Sequence, residues 1–367
     1  MTPLRRRRPL ASRVASGGRS LAPLLAAALL AAACATEVPP LPPSPPSPDA
    51  AVPAVGEGLV IVLPPADLLA EAERDHLRRS VDRAIESALP DGVDAGVVTV
   101  LEPADTQAVV DAVERAVRRV GPGGTVCVLG AGVRERIAPV LALYPAARAC
   151  MLHAAPLDDE PHLAVDVDLD GLGRALGAAA RTFSQGGTVL VLHGEDPMLD
   201  RRWRAGVVAA VTEPAEDLVA GRAHTVRSAE EVLRLLEDQA ALLAEGVVPG
   251  SPEALTSVDG IESALGPNGE LLPPARVLPP VAVVVVDASA EAALLVAALA
   301  ERDLPVVGPR SLLDGGVLAG DAVVLRWQVR WDLPLRRLLD AAITSGVRPE
   351  PVTEDVVTLE LGPVSWG

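Results

Sequence analysis

"DTQAVVDAVERAVRRVGPGGTVCVLGAG", residues 105–132, changes its period once. Up to Val120 the apolar residues recur at helical spacing, which predicts a helix over 104–120. After Gly121 the run "GTVCVLG" (124–130) is short, continuous and rich in β-branched residues, as expected of a strand covered on both faces. The same pairing extends in both directions. Upstream, "GLVIVL" (58–63) predicts a strand, and Asp67–Leu89 a helix with Leu69, Ala72, His76, Leu77, Val81 and Ile85 along one side; "AGVVTVL" (95–101) is the next strand. Downstream come a helix over 133–143 and the strand "ARACMLH" (147–153). Strands that alternate with helices imply right-handed crossovers and a parallel sheet.

A second series follows the polar, proline-bearing "APLDDEPH". It predicts strands at 163–169, 187–194, 222–226, 281–287 and 304–308, with helices at 171–184, 199–211, 228–244 and 289–302. Residues 247–280, rich in Gly, Pro and Ser, read as an irregular excursion. A strand (321–329), a helix (333–345) and a strand (356–362) complete the pattern. The fold class expected is α/β, with two doubly wound parallel-sheet lobes.

The first 57 residues are of another kind. Arg5, Arg6, Arg7 and Arg8 precede an apolar stretch, Leu21–Ala33, in the layout of an export signal. Thirteen residues are too few to span a bilayer, which takes roughly 20. Leu30-Ala31-Ala32-Ala33-Cys34 resembles a bacterial lipobox, with Ala31 where leucine is usual. That resemblance implies removal of residues 1–33, acylation of Cys34 and a membrane anchor, with 34–57 as a proline-rich, extended stalk. Cleavage without acylation, giving a secreted chain, is the alternative. Ala35 rather than Asp after the cysteine would favour the outer membrane in a Gram-negative envelope.

Composition narrows the function. With 49% hydrophobic residues the chain buries a substantial core. The first 33 residues hold six of the 32 basic residues and no acid, leaving 26 against 49, a charge of −23 after processing. Nucleic acid is excluded as a partner on that balance. No lysine occurs, which removes Schiff-base chemistry and the lysine of a phosphate-binding loop. Cys127 and Cys150 lie in apolar runs without metal-ligand spacing: either buried thiols or, in an oxidising compartment, a disulfide between neighbouring strands. The histidines (76, 153, 162, 193, 224) are scattered, so neither a catalytic constellation nor a metal or cofactor site is expected.

Two α/β lobes behind an acylated stalk resemble a type I periplasmic binding protein, and in particular the basic membrane lipoprotein family of ABC-transporter substrate-binding proteins. The opening stretch carries part of this resemblance. The rest lies in "LDGLGRALGAAARTFSQGGTVLVLHGEDPMLDRRWRAG", "VLRWQVRWDLPLRRLLDAAITSG" and "VTLELG". It implies three crossings between lobes, placing 58–157 and 320–346 in one and 158–319 and 347–367 in the other. It also implies a small polar solute, by family default a purine nucleoside, handed to an ABC permease. Where members carry an Asp-x-Ser-Phe-Asn-like element, this chain reads "PPADLLAEAERD", and one Phe, one Tyr and four Trp leave little to sandwich a base. An envelope lipoprotein of the same fold, acting as a regulatory or interaction subunit, is the competing expectation.

Ligands of open parallel sheets bind beyond the carboxyl ends of strands. Those ends nominate Asp67, Gly130, Gly132, His153, His193, Glu195, Asp196, Asp287, Ser289, Arg310 and Arg330. Each has a plainer role: Asp67 as a cap of the first helix and Asp105 of the second, Gly130 and Gly132 as turn residues, His153 and His193 as loop histidines.

Overall fold

The computed structural model describes residues 58–361 except 90–97, 122–123, 131–132, 146, 153–162, 166, 200, 214–220, 252–272, 315–317, 319–321 and 345–356. The export segment, Cys34, the stalk, Gly132 and His153 lie outside the described residues.

Strands β1 (Leu59–Val62), β2 (Val98–Leu101), β3 (Thr125–Val128), β4 (Arg148–Leu152) and β5 (Leu163–Val165) form one sheet in the order β2-β1-β3-β4-β5, parallel throughout. Helices α1 (Glu71–Ala88), α2 (Thr106–Val120) and α3 (Val133–Leu143) connect its first four strands. The unbroken apolar run of β1 is explained by its two buried faces. Leu59 and Ile61 enter the core shared with Leu77 and Val81 of α1, while Val60 and Val62 enter the one built from Val109, Val113 and Val117 of α2. A side chain of that size contributes about 1.5–3 kcal/mol when fully buried. In α2, Asp105 Oδ1 accepts from Ala108 N at 2.8 Å as the N-cap, and Gly121, at φ 66°, ends the helix as only glycine does without strain.

The second sheet runs β11-β10-β9-β8-β6-β7, from strands β6 (Thr188–Leu192), β7 (Arg222–Val226), β8 (Val281–Val286), β9 (Val306–Pro309), β10 (Val323–Val329) and β11 (Val357–Leu361). All neighbours are parallel except β10 and β11. Its helices are α4 (Leu169–Ser184), α5 (Arg201–Thr212), α6 (Ala229–Ala244), the single turn α7 (Pro274–Val277), α8 (Ala290–Leu299), the single turn α9 (Arg310–Leu313) and α10 (Asp332–Thr344). Val189, Val191, Val283 and Val285 face α4 and α5, whereas Leu190, Leu192, Val284 and Val286 face α6 and α8.

The helices α4 and α5 lie against each other with glycine at the seam. A Cβ on Gly173 would overlap the carbonyl oxygen of Trp203, and one on Gly177 that of Val207.

The chain weaves between the sheets. After β5 it passes to α4 and the second sheet; after β10 it returns, since α10 packs on α1, β4 and β5; β11 then lies again in the second sheet. Two strands therefore differ from the boundaries expected. Residues 163–165, expected in the second lobe, pair with β4 in the first sheet, and 323–329, expected in the first lobe, pair with β9 and β11 in the second. A buried apolar strand looks the same whichever sheet it joins, and the polar break at 154–161 precedes the last strand of the first sheet instead of marking the crossing.

Cys127 and Cys150 are register partners on β3 and β4, fully buried and free. No helix among the described residues is long and apolar enough to cross a membrane.

Candidate functional site

At the carboxyl ends of β6, β7 and β8, beneath the loop that leaves β1, lies a cavity of about 520 Å³. This falls within the roughly 300–1,000 Å³ of ligand clefts. The first lobe contributes Asp67 and Leu68. The second contributes His193, Gly194 and Glu195 after β6, Arg227 and Ser228 after β7, Ser289, Ala290 and Glu291 after β8, and Arg204 from α5. A smaller hollow of about 140 Å³, sharing His193, Gly194 and Arg204, continues inward to Asp196, Trp203 and Asp287.

Capping builds the walls. Ser228 Oγ accepts from Glu231 N at 3.2 Å, and Glu231 Oε2 accepts from Arg227 N at 2.8 Å, so the segment "SAEE" closes the start of α6 on itself. Glu291 Oε2 accepts from Ala229 N at 2.8 Å, tying the start of α8 to that of α6. Ser289 caps α8 through Ala292 N at 3.2 Å and donates its hydroxyl to Asp287 Oδ1 at 2.6 Å. Gly194 is required here because a Cβ would overlap Ser289 Oγ.

Beneath the cavity two carboxyls are buried. Asp196 accepts from Met198 N at 2.7 Å and Ala288 N at 3.0 Å; Asp287 accepts from Ser289 N at 3.1 Å as well as the hydroxyl. Burial, with the neighbouring Asp287 second, pushes Asp196 up to about 8. Burial raises Asp287 to about 6 against the lowering effect of the Ser289 hydrogen bonds. Beside them, Arg204 Nη1 sits 3.1 Å from Nε2 and 3.2 Å from Nδ1 of His193. Burial first, then the charges of Arg204 and Arg227, lower the His193 pKa. Among the described residues no carboxylate pairs with Arg204 or Arg227, and the buried Trp203 Nε1 has no hydrogen-bond partner.

The lobes touch directly beside the cavity. Ala70 N donates to Ala288 O at 3.1 Å and Ala290 N to Leu68 O at 3.0 Å, an antiparallel bridge centred on Leu69 and Ser289. Deeper, the buried Glu73 of α1 accepts from Ser311 Oγ at 2.6 Å and Trp331 Nε1 at 3.3 Å, and burial pushes its pKa up. His76 Nε2 lies 3.0 Å from Val329 O and its Nδ1 3.2 Å from Gln328 Nε2; a neutral ring protonated on Nε2 satisfies both.

Of the residues nominated from strand ends, Asp67, His193, Glu195 and Ser289 line the larger cavity, and Asp196, Asp287 and again His193 the smaller. Gly130 lies in the bend after β3 at φ 127° and lines neither. Arg310 pairs with Asp314 at 2.7 Å and Glu360 at 2.8 Å, which hold it toward β11, outside both cavities. Arg330 is exposed beside Asp332 at 3.4 Å and is outside them too. Asp67 does not cap the first helix: α1 starts at Glu71 with Ala70 in the cap position, because 66–68 form a turn drawn onto the second lobe. The sequence reading missed Arg204, Arg227, Ser228 and Glu291. The Ser-x-x-Glu pattern at 228–231 marks a helix start directly after a strand and could have flagged Ser228.

No family model matches the sequence, and no curated protein matches it. Solved structures do. The chain is similar to an ABC sugar transporter subunit from Rhodobacter sphaeroides, at 12% identity and TM-score 0.56 over 84% of this chain and 98% of that one. It is also similar to a carbohydrate transporter solute-binding protein from Agrobacterium radiobacter in complex with D-arabinose (14%, 0.54, 83% and 94%). A PurR family transcriptional regulator from Vibrio parahaemolyticus is a third (13%, 0.51, 83% and 97%). The fold is thus that of the type I periplasmic binding proteins: two doubly wound α/β lobes joined by several crossings.

Proposed function

We propose that this chain is an extracytoplasmic solute-binding protein, anchored through acylated Cys34 behind its proline-rich stalk, which captures a small polar molecule and delivers it to an ABC permease. The observation that carries this reading is the 520 Å³ cavity at the carboxyl ends of the strands, with residues of both lobes on its wall and polar side chains on eight of the eleven residues that line it. Binding, not covalent chemistry, is what such a wall supports: carboxylates accept from hydroxyls, guanidinium groups donate, and partial desolvation strengthens both. Structural neighbours that transport or hold sugars agree with it. Membership of the basic membrane lipoprotein family belongs to the same reading, but a nucleoside is the weaker choice of solute. Among the described residues, no aromatic side chain except the His193 ring lines the larger cavity to stack on a base.

The test is a melting-temperature screen of the chain from Val52 onward, the compact unit that holds every described element, against polyols, sugars, sugar acids, amino acids and nucleosides. A ligand-dependent rise is expected, and a flat response across all five classes would sink the reading.

A second reading is favoured by the bridge between Leu68–Ala70 and Ala288–Ala290. Direct bonding of the lobes across the cleft suits a subunit that presents a fixed surface to an envelope partner. Capture of an envelope enzyme by the anchored chain, with no response to solutes, would select it.

A further inference from the structure

The guanidinium groups that line the cleft are not paired with protein carboxylates among the described residues. Arg204 and Arg227 both bear on His193, yet neither has a carboxylate partner among the described residues, although Asp67, Glu195 and Glu291 line the same space. Glu291 is already committed to the Ala229 amide and Glu231 to the Arg227 amide. Asp196 and Asp287 turn their oxygens to the amides and hydroxyl of the loops after β6 and β8. Arg204 and Arg227 both line the larger cavity, so one molecule can meet the two of them. Two guanidinium groups call for a negatively charged group rich in acceptors, and a planar carboxylate fits a guanidinium fork best. Asp67 and Glu195, exposed at the mouth, accept only, and so call for hydroxyl donors on the same molecule.

We propose that the cleft selects sugar acids: a carboxylate held by Arg204 and Arg227, and hydroxyls donating to Asp67 and Glu195. This rests on the solute-binding reading and narrows its solute class. The experiment is titration calorimetry of the chain from Val52 onward with D-gluconate and D-galacturonate, each beside its neutral parent, D-glucose and D-galactose, at low and high salt. The acids should bind at least tenfold more tightly than their parents. That preference should shrink with added salt and fall about tenfold in Arg204→Gln and in Arg227→Gln. Equal affinity for acid and parent overturns the proposal, as does an acid preference unchanged in both variants. The wild-type comparison needs no variant to fold. Binding of neutral sugars, amino acids or nucleosides with none of the acids overturns it and leaves solute binding standing; no binding in any class removes both.

Discussion

At Asp196 the fold sets a buried carboxyl that accepts from two backbone amides, with a second carboxyl beside it. An unfolded aspartate releases its proton near pH 4. The folded one holds it to about 8. Over that interval the native state binds more protons than the unfolded chain, so this group's contribution to stability is greatest below pH 4 and declines as pH rises to 8. Asp287, at about 6, adds a shorter decline of the same sign. Asp196→Asn should therefore flatten part of the fall in melting temperature between pH 5 and 8, which a pH series of thermal melts on wild type and variant measures. The buried thiols behave differently. The hydrogen bond with Cys150, then burial, raises the Cys127 pKa well above that of a free thiol, and the reactive species is the thiolate. A maleimide should label neither Cys127 nor Cys150 in the native chain at pH 7.5 and both after denaturation, as mass spectrometry would count. Failure to label both in denaturant without reductant would show that they are bonded to each other.

At the scale of elements, the strands were legible because burial on both faces leaves no polar residue to interrupt them, as in "LVIV" and "VAVVVV". Helix starts were legible where a cap is present, at Asp105, Ser228 and Ser289, and shifted where it is not, at Ala70. Membership of a sheet was not, because pairing partners are chosen by connections made far along the chain; β5 and β10 carry no mark of their sheet. Strand-end reasoning brought His193, Glu195, Asp196, Asp287 and Ser289 to one region but also nominated Arg310, which answers to Glu360 on a strand 50 residues later. Arg204 was invisible for the opposite reason: it projects from within α5, and only the packing of α5 on α4 sets where it points. That packing rests on glycine. Gly177→Leu would drive a side chain into the Val207 carbonyl and the Ala210 methyl, and backbone cannot give way as a side-chain tip can. Overpacking of this kind costs about 1–3 kcal/mol. The variant should show a lower denaturant midpoint with an unchanged slope, whereas an unaltered midpoint would mean that the helices can slide apart freely.

For the whole molecule, the contact between lobes is polar at its edge and apolar within, since one core cluster runs from Leu59 and Ile61 of the first sheet to Val283, Val285 and Trp327 of the second. Glu73 holds the polar part. Glu73→Ala would remove the carboxylate that accepts from the Ser311 hydroxyl and the Trp331 N–H, at about 1–3 kcal/mol for a buried donor left unpaired at Ser311. The amides of Ala70 and Ala290, which carry the bridge, should exchange with deuterium faster in that variant while amides within β8 keep their rate. Uniform acceleration across the chain would mean that the bridge has no independent opening. The weaving of the backbone has a consequence for how such a molecule is made. The first sheet receives its covering helix α10 only after β10 has been laid in the second, and the second receives β11 only after α10 has gone back. Neither half can therefore be finished on the ribosome ahead of the other, because each waits for a segment made after part of its neighbour.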